Sequence, residues 1–174
     1  GNITTAAGKV QFDGNVVLGT SVGVVTGGGN ISFVGKVDGS SAGNQTLGLT
    51  AGTGNVVFGG AVGGVTRVGA ITISSAGDVT AGAVTAASLV QSAGSGTTTL
   101  NGAVDTDAVA GVDITAAGIA LNQGITTSGG GVVTLTAGAG GLTIAGAGDI
   151  SADGAVSLTG GGVVKISTAG DVST

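Results

Sequence analysis

The sequence predicts an all-β chain wound as a parallel β-solenoid (β-helix), with about eight coils of about 22 residues and three short strands in each coil. Two observations predict it. A Gly-rich, β-branched phrase keeps returning: "TGGGNISFVGKV" at 26–37 becomes "TAGTGNVVFGGAV" at 50–62 and "SGTTTLNGAV" at 95–104. The composition also forbids a thick core, because 40 of the 174 residues are Gly and the only aromatic residues are Phe12, Phe33 and Phe58. Gly, Ala, Val and Thr must therefore fill a thin, regular cross-section in which backbone hydrogen bonds carry much of the order.

Aligned on its central apolar residue, the phrase gives a first column of Phe12, Phe33, Phe58, Ala81, Leu100, Leu121, Ile144 and Ile166, in steps of 19 to 25 residues. Two residues upstream lie Val10, Ile31, Val56, Val79, Thr98, Ile119, Leu142 and Val164. This alternation is the period-2 pattern of a strand with one buried face. A second column, usually four residues on, reads Val16, Val37, Val62, Val84, Val104, Ile125, Ile150 and Val172. A third is expected at Ile3, Val25, Leu49, Ile73, Val90, Ile114, Leu135 and Leu158. Each segment is bounded by Gly, Asn, Asp or Ser, which turn corners readily. Stacked coils would turn each column into a ladder of like side chains. A β-sandwich of hairpins is the rival fold, but it needs no constant period. The most variable spacing falls between the second and third columns, so that corner is where surface function is expected to be grafted.

Several classes are excluded or disfavoured by composition. Collagen needs Gly at every third position and Pro, and there is no Pro here. Charged residues are only 7% of the chain, and the ordered recurrence of β-branched residues argues against a disordered linker. Lys9, Lys36, Arg67 and Lys165 are too few and scattered to neutralise a phosphate backbone, so no nucleic-acid partner is expected from a chain of net charge −5. No basic segment precedes an apolar one and no apolar run reaches about 18 residues, so neither a signal peptide nor membrane insertion is expected. With no initiating Met, residues 1–174 are expected to be one solenoid segment of a longer chain.

Candidate chemistry is sparse. Asp105, Asp107 and Asp113 crowd one variable corner, "VDTDAVAGVDIT", and clustered carboxylates suit a hard cation, so these three are the candidate calcium ligands. The alternative for the same residues is a solvated acidic loop. No other cofactor is expected. Asn2, Asn30, Asn55, Asp78, Asp149 and Asp171 recur beside turn Gly residues, where short polar side chains bond to corner backbone groups. The absence of His, Cys, Glu and Tyr leaves acid–base work to Asp or Lys, and Arg67 lies far in sequence from the Asp cluster, so no enzyme is expected. Outward Thr residues fall in pieces such as "TTTL" and "ITTSG" without the constant Thr-x-Thr column of an ice-binding face.

Through "GNISFVGKV", "GNVVFGGAV", "TTTLNGAV" and "VVTLTAGAGGLTIAGAGDISADGAVSLTGGG", the chain resembles the repeats of filamentous-haemagglutinin-like and autotransporter exoproteins, large bacterial surface adhesins with β-helical shafts. The resemblance implies a secreted or outer-cell-surface location and a structural role as the shaft of an adhesin that meets a host or partner cell. The alternative from another class is a glycan- or cation-binding module that uses the variable corners, residues 38–46 and 105–113. Neighbouring coils of the parent chain are the expected partners. Uncapped ends would be open strand edges, from which end-to-end self-association is expected.

Overall fold

A strand of three or four residues between Gly-containing corners cannot bury its apolar face alone, and this chain solves that by stacking. In the computed structural model, which describes residues 1–167 and 170–174, the strands pair only in parallel and the described residues contain no helix. The chain is a β-solenoid of about eight turns of about 22 residues. Parallel pairing throughout removes the hairpin sandwich.

Two of the three predicted columns are ladders without correction. Phe12 pairs with Phe33, and the series continues through Phe58, Ala81, Leu100, Leu121 and Ile144 to Ile166. The second column runs from Val16 through Val37, Val62, Val84, Val104, Ile125 and Ile150 to Val172. In the third column, Ile3 pairs with Val24, not Val25, and Ile73 and Ile114 both pair with Gln91, not Val90. Val24 is fully buried, whereas Val25 is 39% exposed. Where two apolar residues adjoin, hydrophobicity cannot say which points inward; the hydrogen-bond register decides.

The core is a narrow stack of these ladders. Phe12 lies on Phe33 with ring centroids 4.9 Å apart, and Phe33 on Phe58 at 5.3 Å, with the planes within 9° of parallel. Each such contact contributes about 0.5–1.5 kcal/mol beyond simple burial. Later coils replace Phe with Ala81, Leu100, Leu121 and Ile144, all buried.

Corner length follows residue supply. In the fourth coil only seven residue steps separate Val84 from Gln91, and one strand, Val84–Gln91, runs through the corner. Val112–Leu121 and Val133–Ile144 likewise bend through the corner from the third column to the first, so three short strands merge into two in those coils. Elsewhere the corner turns sharply on glycine. Gly63 has φ +68°, and a Cβ there would run into the Thr85 carbonyl oxygen.

Two buried polar residues that bond to each other, Gln91 in the third column and Thr98 beside the first, interrupt the apolar ladders. Gln91 is 2% exposed; its Oε1 accepts the Thr98 hydroxyl at 2.7 Å, while its Nε2 finds no partner among the described residues. A buried unpaired amide costs about 1–3 kcal/mol, whereas replacing both partners by apolar groups of similar shape removes that cost. Thr98→Val alone should therefore lower the melting temperature by orphaning Gln91 further, and Thr98→Val with Gln91→Leu should raise it above wild type. A double variant less stable than the single one would contradict this account of the ladder.

Candidate functional site

The recurring Asn and Asp residues are occupied by the fold. The side-chain oxygen of Asn30 accepts the Asn55 N–H at 2.9 Å, Asn55 accepts that of Asp78 at 2.8 Å, and Asp78 accepts that of Thr97 at 2.8 Å. Asn2 does the same for Gly23, and Asp149 for Asp171. Asp171 instead accepts from Val172 of its own coil. These side chains tie one coil's corner to the next coil's backbone, as expected for short polar residues at turns.

The variable corners build a different arrangement. In the second coil the carboxylate of Asp38 accepts the N–H groups of Val65 and Thr66, at 2.8 and 3.1 Å, which fixes the third coil's corner against it. The Gly43 N–H donates to the Arg67 carbonyl oxygen at 2.9 Å, and Gly69 donates to that of Gln45 at 2.7 Å. Between these anchors the Arg67 side chain reaches across the fourth coil to the fifth. Its Nη1 donates to the Ala86 carbonyl at 2.7 Å and to the Asp105 carbonyl at 3.1 Å. Its Nη2 meets the Asp105 carboxylate at 3.1 Å, and its Nε meets that of Asp107 at 3.2 Å. Arg67 lies far in sequence from the acidic corner, and the solenoid brings these residues, 38 positions apart, into contact.

The predicted cation triad is not assembled. Asp105 lies on the second-column strand, paired between Thr85 and Thr126, and Asp107 follows just beyond it. Asp113 belongs to the third-column strand, paired between Val90 and Thr134, with the corner at 107–111 intervening. Among the described residues no group of three or more His, Cys, Asp or Glu side chains is placed to hold a metal ion. Two of the three carboxylates instead share one guanidinium. Nothing in the sequence gives the reach of Arg67; its being the sole Arg is the only signal that singles it out.

The register also reveals a hydroxyl column that the sequence conceals. Thr115 pairs with Thr136 and Thr136 with Thr159, outward beside the third column. Thr4, Thr50, Ser74 and Ser92 follow the third-column residues in earlier coils, but the row is interrupted by Val25 and by a register shift that pairs Thr50 with Ser75. The neighbouring outward row holds Gly23, Gly48, Thr72, Val90, Asp113, Thr134 and Ser157. One row of hydroxyls is thus continuous over several coils, while the second needed for a Thr-x-Thr grid is not.

These features define a class: a parallel β-solenoid with corner-capping Asx residues and, among the described residues, one charged clamp between coils. Compared with family models, curated proteins and solved structures, the chain matches none of them.

Removing the clamp measures its role. Asp105 and Asp107 are 51% and 47% exposed at the side chain, so solvent screens the pairs strongly. Arg67→Met should cost about 1–2 kcal/mol, through lost carbonyl bonds as well as lost ion pairs. The difference from wild type should shrink in about 1 M salt without vanishing. Equal melting temperatures at low salt would show that the clamp contributes nothing.

Proposed function

We propose that the chain is a shaft segment of a large secreted or cell-surface bacterial adhesin, a stiff spacer that projects or presents binding parts lying elsewhere in its parent protein. The observation that carries this reading is the continuity of the ladders: all three columns pair coil to coil, and most recurring polar groups are engaged in holding coils together. A rod of this kind is stabilised by nearest-neighbour contacts, so it lengthens by adding coils and has no need of a central site. The likeness of the repeats to haemagglutinin-type exoproteins supports the same role and location.

The alternative, a glycan- or cation-binding module, draws on the Arg67, Asp105 and Asp107 cluster at the variable corner. In it Arg67 Nε, Nη1 and Nη2 already have protein partners, which leaves little of the guanidinium for a ligand.

Coil excision, a glycan array and a calcium-dependent melt separate the readings. Ile125 and Ile150 are equivalent in successive coils, so excising residues 125–149 removes one turn in register. A shaft predicts a chain that still melts cooperatively and is shorter by about 4.8 Å in small-angle scattering. It also predicts no retention on a glycan array and the same melting temperature in calcium as in chelator. A calcium-dependent rise that disappears when Asp105, Asp107 and Asp113 are all changed to Asn, or glycan retention lost in Arg67→Met, would overturn the shaft in favour of the corner module.

A further inference from the structure

The polar groups buried in the rod gather in one interior turn. Among the described residues six polar side chains are buried, and four of them, Ser88, Gln91, Thr98 and Thr106, fall between positions 88 and 106. The other two, Thr26 and Thr127, donate their hydroxyls to the carbonyls of Gly29 and Gly131 in their own corners. In the polar turn two buried atoms, Gln91 Nε2 and Thr106 Oγ1, have no partner among the described residues. The apolar filling is also thin beside it. The first column drops from Phe58 to Ala81 in the fourth coil, and Thr106 stacks on Ala86. The charged clamp lies outside at the same level. Arg67, from the third coil's corner, bonds the Ala86 carbonyl and then Asp105 and Asp107 beyond it.

We propose that the turn from Ser88 to Thr106 is a built-in yield point, at which the rod opens before its other interior turns, and that Arg67 is the external latch that holds it shut. In a stack stabilised by neighbour contacts, the weakest interface decides where it parts. Opening between the fourth and fifth coils lets water reach Gln91 Nε2 and Thr106 Oγ1, whose burial without partners opposes the closed state. Opening at an apolar turn exposes Leu and Ile ladders to water and satisfies no such group. The latch spans the parting surface. The Arg67 carbonyl is tied to the second coil by the Gly43 N–H, while its guanidinium holds the fifth coil through Asp105 and Asp107. Separation there breaks all of its contacts with the fifth coil at once. Both carboxylates are about half exposed, so salt screens them and the latch weakens as ionic strength rises. The inference rests on the solenoid and its buried groups and not on the shaft reading, whose failure would be read in glycan retention and calcium dependence.

Native-state hydrogen exchange of the whole chain, read by mass spectrometry, tests it. Amides of Val84–Gln91, Thr97–Leu100 and Val104–Thr106 should exchange ahead of those in two interior reference strands, Ile31–Phe33 and Val133–Ile144. Raising salt to about 1 M should widen that lead. Arg67→Met should speed exchange in the turn about tenfold at low salt, abolish the salt response and leave the reference strands unchanged. Gln91→Leu with Thr98→Val should slow the turn toward the reference strands. A wild-type turn that exchanges no faster than the reference strands overturns the proposal without need of any variant. So does a response to salt or to Arg67→Met that is equal in both sets of strands, or a salt response that survives in Arg67→Met.

Discussion

The hydrogen bonds between equivalent residues of successive coils are the constraint on which the rest of the molecule depends. They fix each strand about 4.8 Å from the next and in parallel, so a side chain meets its own counterpart above and below. A column must therefore tolerate stacking on itself. Phe on Phe, Val on Val and Ile on Leu do so, and the near-parallel rings of Phe12, Phe33 and Phe58 are the direct result. The same constraint accounts for the corners. Where a corner breaks the ladder, backbone N–H groups at or beside it would be orphaned without side-chain acceptors. Asn30, Asn55 and Asp78 supply those acceptors in succession.

Most of this architecture is legible in the sequence because a ladder imposes its chemistry at a nearly constant period. The first and second columns read correctly from Phe12 to Ile166 and from Val16 to Val172. The third was read one residue off in two coils, for related reasons. At Val24 and Val25 two equally apolar neighbours compete, and at Gln91 the inward residue is polar while the outward Val90 is apolar. Hydropathy finds the greasier residue; the ladder selects the one in register. The hydroxyl row from Thr115 to Thr159 was hidden because its earlier members mix Ser with Thr and its register depends on the same column.

The candidate site was legible only in part. The closeness of Asp105 and Asp107 is a property of adjacent sequence, and their place on a variable corner follows from spacing. Their partner is a property of three dimensions. Arg67 reaches them only because the corners of the second and third coils are tied together by Asp38 and by the Gly43 and Gly69 N–H groups, which aim the side chain along the rod. Asp113, six residues from Asp107 along the chain, is carried to another strand. A cluster that reads as a cation loop in sequence is, in the fold, a clamp between coils.

The absence of Cys makes the central claim, a register-locked rod, open to direct distance measurement. Gln11, Thr99 and Lys165 occupy one outward row, with four ladder steps from the first to the second and seven from the first to the third. Spin labels on Gln11→Cys with Thr99→Cys, and on Gln11→Cys with Lys165→Cys, should give narrow double electron–electron resonance distances centred near about 19 Å and about 34 Å. The measurement belongs on dilute protein, so that only distances within one molecule are read. Two distances in that ratio are what stacked coils require. A broad distribution for the longer pair, or two pairs with the same separation, would contradict the solenoid and everything built on it.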